Sequence, residues 1–436
     1  MKIIAISFFI SVQIFLGCNS LAQDTLKLDQ AIVIAMQENY DITLASKDSR
    51  ISELNNSAGA AGMLPKLNLT GARNMSVSKT YEQYNDGREK QSPNARSTTL
   101  SGGVALAWTL FDGFNMFIQK NRLNELEYMS DLQLQSVVEN TVADVIQAYY
   151  SIIAQQMLVD VYREAMAITS ERKRIAKAGV TFGSNSELSF LQASVDYNAD
   201  SSAYIQQVKI LQNNKVELNR LLCRDLFQTF EVTKDILVQP GLLFEKLWAE
   251  VMEQNPEIRM ARTNLSVAML DRKSANSTLY PRLNFTSGYN YLKSESEVAI
   301  TSLSQKSGFN LGVNASYSIF DGFNQKHNRS QAQIRVESAK LEVEQSELNT
   351  KAHLQRIFND YETNLELASF EKENVKLAMR NLVIAQEKYR IGSSNDIELR
   401  ETQKKLMDAE NRFLTAQFRS KASETELLRM SGQLTR

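Results

Sequence analysis

Few residues in this chain are of types and spacings that do covalent chemistry. Its two histidines, His327 and His353, stand at irregular spacing in a polar stretch, which points to a solvated surface role rather than metal ligation. Two cysteines cannot frame a disulfide scaffold: Cys18 lies in the N-terminal leader, and Cys223 reads as a single thiol near a helix end. No phosphate loop, Gly-x-Ser-x-Gly elbow, Cys-x-x-Cys or His-Glu-x-x-His is present. The chain thus reads as no enzyme, with no catalytic residue, no cofactor and no metal. Glu398 and Glu401 stand i,i+3 on one helical face, a spacing that other acidic pairs of the chain share. A helix start favours Glu through its dipole in any case.

Composition narrows the class further. Lys+Arg 49 against Asp+Glu 50 leaves no basic excess of the kind a nucleic-acid partner requires. A length of 436 residues with 43% apolar residues allows a sizeable core. Only 5 prolines and 17 glycines interrupt it, which favours long helices.

Residues 1–22 read as an address. Lys2 supplies a positive start, Ile3 to Leu16 an apolar run too short for a membrane span, and Ser20-Leu21-Ala22 a small-x-small cleavage site before Gln23. A rival reading takes Phe15-Leu16-Gly17-Cys18 as a lipoprotein box with Cys18 lipidated, although Phe15 stands where that box has Leu. No later run of apolar residues is long enough for a transmembrane helix, so any span must be made of strands.

The rest of the chain is one design written twice. Leu64-Pro65-Lys66-Leu67-Asn68-Leu69-Thr70 returns as Tyr280-Pro281-Arg282-Leu283-Asn284-Phe285-Thr286, an offset of 216. Leu110-Phe111-Asp112-Gly113-Phe114-Asn115 returns as Ile319-Phe320-Asp321-Gly322-Phe323-Asn324, an offset of 209 that also carries Gly183-Ser184 onto Gly392-Ser393. The seven extra residues of the first copy fall in the polar tract around Lys79 to Ser97, which reads as a solvated loop with its counterpart at Lys293 to Gly308.

Each copy orders helix, hairpin, very long helix, turn and long helix. Phe114 to Ala178 and Phe323 to Ile391 contain neither Gly nor Pro, 65 and 69 residues that would each run roughly 100 Å as a helix. Tyr361, Ala368, Val375, Leu382 and Tyr389 recur every seven residues, with Phe358, Leu365 and Met379 on the companion position of a coiled-coil stripe. Four segments alternate with period two: Leu67 to Val77, Leu100 to Phe111, Leu283 to Tyr291 and Phe309 to Ile319. Each is about ten residues, the length of a tilted transmembrane strand with apolar residues outward. Arg73 interrupts the apolar face of the first, and the sequence gives no firm account of it. Four strands cannot close a membrane barrel, for which about eight is the minimum, so spanning would demand oligomerisation.

On these motifs the chain closely resembles the TolC-like outer-membrane efflux protein family over nearly its whole mature length. The resemblance rests on Leu64-Pro65-Lys66-Leu67 with Tyr280-Pro281-Arg282-Leu283, and on Trp108-Thr109-Leu110-Phe111-Asp112-Gly113 with Tyr317-Ser318-Ile319-Phe320-Asp321-Gly322. The third set is the tip from Gly183 to Ala193 with its echo from Gly392 to Thr402. It implies a mainly α fold with membrane strands: a homotrimer whose β-barrel in the outer membrane is continued by a periplasmic α-helical barrel. It also implies a passive exit duct of a tripartite efflux pump or type I secretion machine. Its partners would be a periplasmic adaptor, an inner-membrane transporter and outer-membrane lipid, with no nucleic acid. The alternative is a periplasmic coiled-coil or adaptor-like protein that never inserts.

The expected layout is a leader at 1–22, helices at 23–63, a hairpin at 64–111 and a helical hairpin at 112–236. The second copy follows with helices at 237–279, a hairpin at 280–320 and a helical hairpin at 321–436. In the resembled family the tips, near 179–188 and 391–397, meet the adaptor. Here they hold Gly183, Ser184, Asn185, Ser186, Glu187 and Leu188, and Gly392, Ser393, Ser394, Asn395, Asp396 and Ile397. Some members carry carboxylates six and nine residues after the second tip glycine, where this chain has Glu398 and Glu401; threefold symmetry would gather six carboxylates into a cation-favouring entrance constriction. Tyr389 matches the family's gate tyrosine, but Ser394 and Ser189 replace its Arg and Asp partners, leaving Glu187 or Asp396 as candidate contacts.

Overall fold

A computed structural model describes residues 25–434 except Asn185 and Ile300; the leader and Cys18 lie outside the described residues. In chain order the elements are α1 (Leu28–Glu38), α2 (Tyr40–Asn55), β1 (Lys66–Gln83), β2 (Glu89–Phe111), α3 (Asn115–Thr181) and α4 (Glu187–Leu221). Then come α5 (Phe244–Gln254), α6 (Pro256–Ser277), β3 (Arg282–Ser296), β4 (Leu303–Ser316), α7 (Asn324–Arg390) and α8 (Asp396–Met430). None of the described helices is long and apolar enough to cross a membrane. The chain divides into two compact units, one of residues 1–38, 144–238 and 363–422, the other of 39–143, 239–362 and 423–436.

In the first unit, Ala31 and Ala35 of α1 pack on Val145, Tyr149, Ile152 and Ile153 of α3 and on Leu218 and Leu222 of α4. Small alanines let α1 approach closely. The Tyr149 hydroxyl donates to the Leu26 carbonyl at 2.9 Å, so the buried ring keeps its polar end satisfied. A second cluster joins Leu382 and Ala385 of α7 to Leu399 and Leu406 of α8, with Val375 and Tyr389 packed against it. Of these, Val375, Leu382 and Tyr389 are heptad positions, turned toward the neighbouring helix as a coiled-coil stripe requires. Met379, assigned to the same stripe, is 38% exposed.

In the second unit the repeat shows in matched helix starts. Asn39 accepts from the amides of Asp41 at 2.8 Å and Ile42 at 3.3 Å. Asn255, 216 residues on, accepts from Glu257 at 3.0 Å and Ile258 at 3.3 Å, with Pro256 at the first helical position. The Phe-Asp-Gly-Phe-Asn motif is a strand-to-helix corner built twice. Gly113 and Phe114 hold φ of +69° and +67°, and Gly322 and Phe323 hold +71° and +66°. The Asp112 carboxylate then accepts from the Met116 amide at 3.2 Å and that of Asp321 from the Gln325 amide at 2.8 Å, capping α3 and α7. Phe114 meets Phe111 edge-on at 5.2 Å, and Phe323 meets Phe320 at 5.4 Å. The helices accordingly begin at Asn115 and Asn324, one residue after those phenylalanines.

The strands form one antiparallel sheet in the order β1-β2-β3-β4. One face is apolar in transverse rows: Trp108–Phe285–Val313, Leu67–Leu106–Ser287–Leu311 and Leu69–Val104–Tyr289–Phe309. The other carries amides and hydroxyls that bond across strands, Asn290 to Asn310 at 2.9 Å and Thr109 to Asn284 at 3.2 Å. Three expectations need correction. The tracts Lys79 to Ser97 and Lys293 to Gly308 are mostly strand, and the strands are 14 to 23 residues long rather than about ten. Backbone pairing satisfies amides and carbonyls whatever the side-chain polarity, so the ladders run on to the turn near Asp86-Gly87 and to the end of β3 at Ser296. The fourth strand ends at Ser316, not Ile319. Its last pair is Arg282↔Ser316, and Tyr317 to Ile319 have no neighbouring strand, whereas Trp108 to Phe111 of β2 still have β3 beside them.

Cys223 occupies the position of Gly432 in the second copy, and both hold a left-handed backbone, with φ of +51° and +69°. The Arg224 amide closes the helix end on Asn219 at 3.1 Å as that of Gln433 does on Leu428 at 2.9 Å. His353 faces Glu426 at 3.3 Å on the second unit's surface.

Candidate functional site

The two helical-hairpin tips are built alike. At the first, the Ser184 amide donates to the Gly179 carbonyl at 2.8 Å and the Gly183 amide to Val180 at 3.2 Å. At the second, Ser393 donates to Lys388 at 2.9 Å and Gly392 to Tyr389 at 3.1 Å. Both are six-to-one helix ends that need a left-handed residue, supplied by Gly183 at φ +74° and Gly392 at +76°. The α3 helix runs through Gly179 before stopping. Ser186 caps α4 by accepting from the Ser189 amide at 3.3 Å, and Asn395 caps α8 by accepting from Glu398 at 2.8 Å.

These turns present apolar side chains to solvent. Phe182 is 85%, Ile391 73% and Ile397 72% exposed, with Leu188 and Glu187 exposed beside them. Asn185 lies outside the described residues. Two grooves flank the tips: one lined by Glu164, Ile168, Arg172, Tyr389 and Arg390 between α3 and α7, the other by Leu191, Val195, Ile397, Arg400 and Glu401 between α4 and α8.

Glu398 and Glu401 both remain exposed. Ser394 donates to the Glu398 carboxylate at 2.7 Å, and Lys388 stands 3.8 Å from it; Lys405 stands 4.0 Å from Glu401. Tyr389 is half-buried in the α7–α8 cluster, close to Asp396 at the start of α8. Burial first, and the Asp396 charge second, push its phenol above the usual range. Of the two candidate gate partners, Asp396 is engaged. Glu187 takes no part in the cluster around it.

The structure adds residues that the sequence did not single out. Arg172 of α3 is 1% exposed, pairs with Asp196 of α4, and places its Nε 3.0 Å from the Asp396 carboxylate. Arg400 of α8 holds Asp200 of α4 in a two-pronged grip at 2.7 and 2.8 Å and stands 3.8 Å from Asp196. Gln403 continues the contact by donating to the Ala165 carbonyl of α3 at 2.8 Å. Two guanidinium groups and the carboxylates of Asp196, Asp200 and Asp396 thus join α3, α4 and α8, and Tyr389 adds α7. Burial pushes the Asp396 carboxyl upward against the pull of Arg172, and the Asp200 hydrogen bonds raise Arg400. Farther along α8, burial and then the Glu164 charge push Glu410 up to about 7. The available sequence signals were the i,i+4 spacings of Asp196 with Asp200 and of Asp396 with Arg400. Among the described residues no acidic, His and Cys side chains gather into a metal-holding group.

Comparison with known proteins bears on these features together. A profile of the outer membrane efflux protein family matches residues 31–224 and 247–433. The outer membrane efflux protein BepC of Brucella suis biovar 1 (strain 1330) is 18% identical over 437 aligned residues, covering 100% of this chain and 91% of BepC. Among solved structures, the outer-membrane channel OprN superposes with a TM-score of 0.75 at 17% identity, covering 93% of this chain and 90% of its own. The Campylobacter jejuni outer membrane channel CmeC does so with 0.75 at 16% identity, covering 99% and 94%.

Proposed function

The chain belongs to the outer membrane efflux protein family, and we propose that it works as a passive duct, closed by three copies and docked through its helical tips. Membership places it in the outer membrane as an efflux channel reaching into the periplasm, and sets aside a coiled-coil protein that never inserts. The family is one of channels, and the proposal assigns this chain no catalytic step.

The observation that carries the proposal is the open sheet. Strands β1 and β4 are both edges, and one face of the sheet is apolar along its rows. In hydrocarbon an unpaired strand edge leaves several kcal/mol per orphan backbone group, so the sheet must close on further copies. Three copies supply twelve strands, within the range of closed outer-membrane barrels. A detergent-corrected mass of three chains is the expected result for the mature protein extracted from outer membranes. A monomer soluble without detergent would refute it.

At the tips, exposed Phe182, Leu188, Ile391 and Ile397 beside two grooves suit apolar contact with a helical hairpin of a periplasmic adaptor, which would link the duct to an inner-membrane transporter. The docking segments are Gly183 to Leu188 and Gly392 to Ile397. Trp in place of both Ser184 and Ser393 should abolish adaptor-dependent efflux while leaving the assembly intact; unchanged efflux would remove the tips from docking. The Arg172–Asp196–Asp396–Arg400 cluster, with Tyr389, holds the tip helices together within a protomer and serves as the clamp of the closed entrance.

A further inference from the structure

Arg73, which the sequence leaves without an account, gains one from the strand register. Its transverse row is Arg73–Leu100–Lys293–Gln305, so two cations share the apolar face with a single leucine between them. Two strand spacings separate them, about 10 Å.

Position along the strand is the second observation. The apolar face begins near Leu283 and passes Phe285, Tyr289 and Tyr291 before reaching Lys293. Ten residues of strand span about 34 Å, and a tilt of about 40° reduces that to about 25 Å of height. That is the height of the apolar band of an outer-membrane barrel. The row lies on the side of the hairpin turns, away from the starts of α3 and α7. Just inside it, Gln305 donates to the Tyr291 hydroxyl at 2.7 Å, marking the wetted rim of the band. Farther out, the Glu297 carboxylate accepts from the backbone amide of Arg96 at 3.2 Å. Among the described residues, Arg73 and Lys293 form the one paired row that sets two cations on the apolar face together. Lys293 also reaches Glu295 at 2.6 Å, while among the described residues the exposed Arg73 guanidinium has no ion-pair partner within bonding distance.

We propose that Arg73 and Lys293 form a phosphate-binding belt for lipid headgroups of the outer leaflet, repeated at each copy around the closed barrel. The inference rests on the trimeric barrel proposed above. Guanidinium and ammonium groups at a hydrocarbon edge meet headgroup phosphates, with the Arg fork suited to two oxygens at once.

The test uses the full-length mature protein purified from outer membranes and placed in phosphatidylcholine nanodiscs doped with bisphosphorylated lipid A or its dephosphorylated form. Lipids retained per assembly are counted by native mass spectrometry. Wild type should retain the phosphorylated form selectively, and R73Q/K293Q should bind it roughly fivefold more weakly per cation removed. The charge-conserving R73K/K293R should restore retention. Equal retention of both lipids by wild type, or no loss in R73Q/K293Q, would overturn the belt and leave the pair as plain interface anchors. The mass of each assembly is read in the same spectra. A wild-type protein that is no trimer there would overturn the barrel itself, an outcome distinct from a trimer that ignores phosphate.

Discussion

Arg172 and Asp396 meet at 3.0 Å although they belong to different copies of the internal repeat, one deep in α3 and the other at the first residue of α8. Arg172 is the largest fully buried side chain among the described residues, and Asp196 is its second carboxylate partner. Burying such a group costs several kcal/mol in desolvation, and the pairing recovers much of it only while all partners stay in place. The contact is therefore weak as a source of stability and strong as a lock on one arrangement of the tip helices.

Removing the cation alone should expose that asymmetry. Arg172→Met leaves the half-buried Asp196 and Asp396 without their guanidinium and should cost about 3 kcal/mol, the low end for a broken buried pair because both carboxylates keep some contact with water, read from denaturant midpoints of the first unit's helices. Replacing Arg172, Asp196 and Asp396 together by Met, Leu and Leu should restore most of the loss. If the cluster clamps the entrance, both variants should also raise single-channel conductance in planar bilayers. Stability unchanged in Arg172→Met would show that the cluster is hydrated and not a lock.

Glu410 gives the tip helices a pH dependence of defined sign. Its folded value of about 7 lies above the ordinary carboxylate range, because burial and Glu164 both disfavour the charge. The folded state then holds a proton that the unfolded chain releases between about pH 4.5 and 7. Stability should fall as pH rises through that window, and Glu410→Gln should flatten the slope in thermal melts between pH 5 and 7.5. A slope unaffected by the substitution would place Glu410 in water. Asp396, also raised, adds to the same direction at lower pH.

The order of elements was legible because it is written twice and punctuated by Pro and Gly. The strands were legible on their membrane-facing stretch, where alternation is forced by two different surroundings. They were not legible beyond Lys79 and Lys293, because there the ladder is held by backbone groups that carry no side-chain signature. The end of β4 at Ser316 was hidden for the converse reason: Tyr317 to Ile319 alternate correctly but lack a neighbouring strand. At the site, the tip glycines were readable from the repeat, and Asp396 as a candidate contact from the family resemblance. Arg172 and Arg400 were not, since a helix's own period shows which residues share a face and never which helix that face will meet.

The duplicated corner offers a comparison within one chain. A Cβ at Gly113 would lie 2.3 Å from the Ser277 carbonyl oxygen, whereas the nearest atom to one at Gly322 is 3.9 Å away. Both glycines hold left-handed backbone, which costs a substituted residue about 1–2 kcal/mol. Gly322→Ala should show that penalty alone. Gly113→Ala should lose clearly more, because α6 must shift away from the corner. Equal midpoints for the two variants in urea would mean that the close approach of Ser277 is relieved without cost.

Glu398 and Glu401 are the remaining test of the entrance. Each has a lysine about 4 Å away, Lys388 at 3.8 Å and Lys405 at 4.0 Å, so within one protomer their charge is largely balanced at exposed positions. Only convergence of copies around an axis would give them a field that selects ions. Glu398→Gln with Glu401→Gln should therefore leave melting temperature within a degree or two. If the six carboxylates converge, the same double variant should shift the reversal potential in a salt gradient toward lost cation preference, and removing Lys388 should shift it the opposite way. Selectivity unmoved by both changes would return the pair to the role any acidic helix start fills, favourable interaction with the α8 dipole.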